Sequence, residues 1–260
     1  MKKIVCLLFS SICFFLSACN KMQGGSLLDQ IMAKGELVIA TEGFWAPWTF
    51  YNGKRELTGY DVDVAKEICK RLGVRPRFVE VEWELVFNCL ETRECDIVMS
   101  GVSLSDDRLE RFYFSHPYAY SKMAVIVRMD NDEIKSFEDL KGRVCANSIG
   151  SNYISTAIEY GAMVIEINSF DDAISLLVQN RSEATINSDL TLYNYLKTNS
   201  DVPIKVAALS DTPAPMAIPC RKEQGSLSFL EQINRILEDM RSDGTLSDIS
   251  YKYFDMDITE

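Results

Sequence analysis

Apolar residues in this chain fall into short blocks that switch between two rhythms. Residues 36–41 (Glu-Leu-Val-Ile-Ala-Thr) are nearly continuously apolar, as a strand covered on both faces requires. An aromatic loop broken by Gly43 and Pro47 follows over residues 42–50. Next, Val62, Ala65, Ile68, Cys69 and Leu72 recur close to helical spacing, with Asp61 placed to cap that helix and Gly73 to end it. Residues 77–81 alternate as a strand, 83–91 make a second helix, and Asp96-Ile97-Val98-Met99 is a third strand. Strand, helix, strand, helix, strand is the order of a parallel α/β sheet. A second α/β set follows. It has strands at 122–128, 144–146, 163–167, 183–187 and 204–207, a capping pattern at 136–139, and helices at 152–160, 171–179 and 189–197. A strand at 217–220 and helices at 227–241 and 245–254 close the chain. The second set reads as an insertion, with the tail returning to the first and a hinge where residues 118–122 and 211–216 cross.

Composition narrows the class. With 260 residues, 47% hydrophobic and 25% charged, the chain has material for one large or two modest folded units. A formal charge of −11 argues against nucleic acid, whose phosphates need basic partners. Lys2 and Lys3 precede an apolar run from Ile4 to Leu16, too short for a comfortable membrane span and suited to a secretory signal over residues 1–18. It ends in Leu16-Ser17-Ala18-Cys19, which resembles the bacterial lipobox and so implies a diacylated Cys19, stable attachment to a membrane, and a tether over residues 19–35 whose polar part is 20–26. Of the later cysteines, Cys69, Cys89, Cys95, Cys145 and Cys220 are odd in number and match no zinc or CxxC spacing. Each sits in an apolar pattern and reads as a buried free thiol.

The chemistry concentrates in Ser100-Gly101-Val102-Ser103-Leu104-Ser105-Asp106-Asp107-Arg108. A strand runs into a hydroxyl-rich loop, Ser105 offers an oxygen to a short helix, and Arg108 lies about one turn in. A planar guanidinium leaning over free backbone N–H groups near Gly101 and Ser103 suits a carboxylate. The plain alternative is a surface arginine paired with Asp106 or Glu110.

With these segments assembled, the chain resembles the periplasmic amino-acid-binding proteins of ABC importers, solute-binding family 3, which includes glutamine-, cystine- and lysine/arginine-binding receptors. The likeness runs from about Leu37 to Phe254. It is carried in order by Ala40-Thr41-Glu42 with Pro47, Thr58-Gly59-Tyr60-Asp61-Val62-Asp63, the 96–108 segment, Phe114-Ser115-His116-Pro117-Tyr118 and Asp243-Gly244-Thr245. The resemblance implies an α/β, type II clamshell of two lobes joined by a two-segment hinge. Lobe 1 would be residues 36–120 with 215–260, and lobe 2 residues 121–214. It implies that Arg108 holds a ligand's α-carboxylate with the N–H groups of Gly101 and Ser103, that Ser100 assists, and that Glu42, Trp45 and Trp83 form the side-chain pocket. The family's second-lobe loop reads here Asn147-Ser148-Ile149-Gly150-Ser151, making Gly150 and Ser151 the candidates. Where the family commonly places an ammonium-binding aspartate, this chain has Ser188, with Asp189 next. Either Asp189 reaches the ligand, the favoured option, or Asn187, Ser188 and Glu42 share the ammonium. His116 replaces the usual aspartate before the hinge and reads as a turn residue.

The function so implied is a lipid-anchored, monomeric receptor facing the periplasm. It hands a polar amino acid to a permease without metal, cofactor or nucleic acid. Glu42 beside two tryptophans admits arginine or lysine; the hydroxyls and Asn187 admit glutamine or cystine. A dehydratase of cyclic prephenate-like acids on the same scaffold, with Glu42 as general acid, is the alternative. A sensory ectodomain is a weaker third.

Overall fold

The computed structural model describes residues 25–260, so the signal sequence and Cys19 lie outside the described part. Leu37 and Ile39 point into one apolar cluster while Val38 and Ala40 point into another, the period-two alternation of a strand covered on both sides. This strand, Glu36–Thr41, lies between Arg75–Glu80 and Ile97–Val98, parallel to both. Pro219–Arg221 and Phe112–Phe114 complete a five-stranded sheet; Pro219–Arg221 runs antiparallel to both its neighbours. One face is packed by Tyr60–Leu72, Leu227–Ser242 and Thr245–Phe254, through Val64, Ile68, Phe229, Ile233 and Leu246. The other is covered by Val86–Glu91, through Val86, Cys89 and Leu90.

The middle of the chain builds separate sheets. Met123–Arg128 lies antiparallel between Thr185–Ser188 and Ile204–Leu209. Val125 and Val127 face one cluster, Ala124 and Ile126 another. Val144–Ser148 and Met163–Ile167 pair in parallel and join this group through a bridge from Cys145 to Ala184. The two crossing segments, Ala119–Ser121 and Ala214–Met216, form an antiparallel pair. The halves also touch elsewhere: Trp48 Nε1 donates to Thr191 Oγ1 (3.2 Å), and Lys197 Nζ meets Asp255 (2.6 Å).

Four local expectations are corrected. The tether does not extend to residue 35, because Leu27–Lys34 is a helix with Leu27 and Ile31 buried in the core. Its start is a capping box, in which Ser26 Oγ accepts from Asp29 N–H and the Asp29 carboxylate accepts from Ser26 N–H. Asp61 does not cap its helix, since Gly59 is the N-cap residue. Ser105 occupies the N-cap position of Asp106–Arg111 but makes no side-chain capping bond. The aromatic loop contains strands Phe44–Trp45 and Thr49–Tyr51, which with Leu57–Thr58 form a small antiparallel sheet. His116 is exposed at a turn, its N–H donating to Asn234 Oδ1.

Candidate functional site

Where the strand Ile97–Val98 ends, the chain must leave the sheet, and the loop that follows runs beside a cleft between the halves, with Gly101 in its wall. Gly101 has φ +56°, and a Cβ there would stand 2.4 Å from the Trp45 ring, so a glycine is required. Its N–H is not free. It donates to Asp61 Oδ2 (2.5 Å), and Tyr118 OH donates to the other oxygen of the same carboxylate (2.8 Å). That corrects the expectation of an open N–H at Gly101. Ser103 is different. It faces Met216 in an antiparallel bridge flanked by Leu104 N–H to Pro215 O and Ala217 N–H to Val102 O (both 3.0 Å). In such a pair the residue's own N–H points away from the partner strand.

Arg108 is only 7% exposed. Its Nη1 donates to Ser103 O (2.9 Å) and Ser103 Oγ (3.4 Å), and its guanidinium carbon lies 5.3 Å and 5.1 Å from the ring centres of Trp83 and Phe87. Among the described residues no carboxylate pairs with it, and desolvation pulls its pKa down to about 10. Arg221, equally buried, shows the structural contrast. It donates to Cys95 O (2.7 Å) and lies 3.7 Å from the Asp96 carboxylate. A buried charge without a partner is costly, so the two arginines are in different energetic positions.

Glu42, 8% exposed, accepts from Ser100 Oγ (2.9 Å). Burial pushes its pKa up to about 7; the Ser100 hydroxyl opposes this, and Glu82 and Asp61 add to it. Trp45 stacks on the fully buried Trp48, ring centres 5.6 Å apart, and turns an edge to Gly101. Trp83 opens the short 3-10 turn Trp83–Leu85, and its Nε1 is buried without a hydrogen-bond partner.

The second half contributes the start of Asn152–Glu159, where Ser151 is the N-cap and accepts from Ile154 N–H (3.4 Å). Asn152 reaches across the cleft to Ser103 Oγ (3.0 Å). The cleft, partly open to solvent, is lined from one half by Glu42, Phe44, Trp45, Trp83 and Gly101. From the other half come Ser148, Ser151, Asn152, Tyr153, Asn168, Ser169, Phe170 and Asn187.

Six candidates are not among these lining residues: Ser100, Ser103 and Arg108 stand behind them, Ser100 bonded to Glu42 and Arg108 packed on the Trp83 ring, and the other three lie elsewhere. Gly150 is exposed near Glu84. Ser188 is buried, its Oγ paired with Ser121 Oγ (2.7 Å) and accepting from Thr191 N–H. Asp189 is turned towards the crossing strand, where its Oδ1 accepts from Ser121 Oγ (3.0 Å) and Lys122 N–H (3.1 Å). The preference for Asp189 is therefore corrected: Ser188 caps the helix, which directs the next side chain at the hinge. Sequence reasoning missed Asn152, Tyr153 and the Asn168-Ser169-Phe170 loop. The Ser169-x-x-Asp172 cap was a usable sign of that loop; Phe170 carried none. Among the described residues no cluster of three or more His, Cys, Asp or Glu could hold a metal ion.

Residues 37–256 match the bacterial extracellular solute-binding proteins, family 3. The L-cystine-binding protein TcyA of Bacillus subtilis (strain 168) is 35% identical over 271 residues, covering 100% of both chains. The crystal structure of the ancestral amino acid-binding protein AncCDT-1, a precursor of cyclohexadienyl dehydratase, superposes with a TM-score of 0.80 at 31% identity, covering 88% of this chain and 100% of its own. An ancestral arginine-binding protein bound to arginine gives 0.79 at 31% identity, covering 85% and 98%.

Proposed function

This chain belongs to the bacterial extracellular solute-binding proteins of family 3, with their type II α/β fold, and on that premise we propose that it captures a polar L-amino acid in the cleft and delivers it to an ABC permease. The observation that carries this reading is Arg108, a buried cation with no acidic partner among the described residues, set beside the outward N–H of Ser103. A free α-carboxylate supplies what that guanidinium lacks, in a fork geometry that lysine could not match. Ser100 positions Glu42, the rings of Trp45 and Trp83 wall the side chain, and the Ser151-capped helix start faces the ligand from the opposite lobe. We take residues 36–120 with 215–260 as lobe 1, extended by the helix Leu27–Lys34, and residues 121–214 as lobe 2. Contacts from both lobes to one ligand favour the closed state, because the open state keeps only half of them.

Export and acylation at Cys19 would hold the receptor at a membrane near its permease; among the described residues no helix is long and apolar enough to cross one. The relatives' names support a transport role. Thermal shift against the twenty amino acids, cystine, ornithine and citrulline tests binding, since a tight ligand raises Tm by mass action. No shift with any of them sinks the proposal. Glu42 favours one second reading, because a carboxyl still half protonated near pH 7 is suited to general acid catalysis of a cyclic prephenate-like acid. Turnover of such an acid by the purified protein would put that reading first.

A further inference from the structure

An amino acid's backbone brings one charge of each sign; Glu42 lines the cleft, and the buried Arg108 stands directly behind its Trp83 wall. Arg108 stands at one side of the 100–108 loop; Glu42 is tied to the same loop through Ser100. Among the described residues lining the cleft, Glu42 is the sole Asp or Glu. Asp61 is sealed beneath the loop by Gly101 and Tyr118, and Asp189 is held at the hinge. Glu82 and Glu84 are exposed at the mouth, where solvent screens them.

The neutral groups point the same way. Trp83 Nε1 is a donor, buried without a partner in a ring that lines the cleft. Asn187 is 5% exposed and spends its Oδ1 on Ser188 N–H (2.8 Å), which leaves its amide N–H₂ as the group to offer. These donors need acceptor oxygens, and the side chains of lysine and arginine carry only donors.

Resting on the amino-acid reading above, we infer that this cleft selects an amino acid with no net charge whose side chain carries acceptor oxygens, with Glu42 spent on the α-ammonium. A cationic side chain would enter a space where the one carboxyl is already taken and the remaining buried donors oppose it. L-Glutamine satisfies these terms, and so does L-cystine, whose far end is itself a zwitterion. The burial that holds Glu42 protonated near neutrality fits this role, because an arriving ammonium is what lets the carboxylate form.

The test is calorimetry at pH 7.5 on the soluble chain from residue 20, with L-glutamine, L-cystine, L-arginine and L-lysine, for the wild type and for Glu42→Gln. The expected result is that glutamine or cystine binds at least 100-fold more tightly than arginine and lysine, and that Glu42→Gln weakens this ligand at least 30-fold. Arginine or lysine binding more tightly than both neutral ligands overturns the inference while leaving the receptor reading intact. Loss of affinity in Glu42→Gln confined to arginine and lysine does the same, since it places Glu42 at the side chain. If the thermal shift finds no amino acid ligand at all, the receptor reading fails and takes this one with it. The wild-type ranking decides even if the variant fails to fold.

Discussion

Arg108 and Glu42 have opposite liabilities, and each gives a measurement. Replacing Arg108 with Ala leaves a bound carboxylate without its fork, and we expect binding of the preferred amino acid to weaken by about 2–5 kcal/mol in calorimetry. Unchanged affinity would remove Arg108 from the site. For Glu42, the folded chain holds the proton to about pH 7, whereas the unfolded chain releases it near 4.5. A raised folded pKa favours the folded state below the unfolded value, and that stability is lost as pH rises from about 4.5 to about 7. Glu42→Gln should therefore match the wild type at pH 4 and exceed it by roughly 1–3 kcal/mol at pH 8, in urea unfolding without ligand. An equal difference at both pH values would contradict this. Arg108 was legible in the sequence because its loop, helix and guanidinium lie within nine residues. The Gly101 N–H was not, because its partner Asp61 is forty residues away and is chosen by packing.

Among the elements, the helix Asp189–Thr198 shows how one position redirects a function. Ser188 caps it, and Asp189 is committed to Ser121 and Lys122 on the crossing strand. Asp189→Ala is expected to lower Tm while changing ligand affinity less than about tenfold, as the loss of an anchoring acceptor outside the cleft should. A loss comparable to that of Arg108→Ala would return Asp189 to the ligand. The helix Leu27–Lys34 was read as tether because eight residues carry little periodic signal. Ile31 is nonetheless 1% exposed against the core, and Ile31→Ala should cost about 2–5 kcal/mol of stability. Stronger patterns fared better. The helix Tyr60–Leu72 was legible because its periodic pattern runs over 13 residues, and the shorter strand Glu36–Thr41 because its apolar run is nearly unbroken.

At the scale of the molecule, thiol chemistry checks that the two cores are closed. Cys69, Cys89, Cys95, Cys145 and Cys220 are free and buried, and desolvation pushes Cys69, Cys145 and Cys220 up to about 12. A thiol reagent at pH 8 should find almost none of them in the native chain from residue 20 and all of them after denaturation. Rapid native labelling would mean looser packing than described. The cross-lobe bonds Asn152–Ser103 and Trp48–Thr191 join residues 49 and 143 positions apart, and no local pattern foretells them.

The main order of strands and helices from Glu36 onward, the acidic composition, the Ser100–Arg108 segment as a candidate site and the likeness to amino-acid receptors were legible in the sequence, because each is written in neighbouring residues or in motifs of fixed spacing. Tertiary structure alone decided which candidates share one cavity, that Asp189 serves the hinge, that Asp61 occupies the Gly101 N–H, and that Glu42 sits where burial holds its proton. Those outcomes depend on groups far apart in the chain competing for the same hydrogen bonds and the same dry space, and that competition is settled only when the chain is folded.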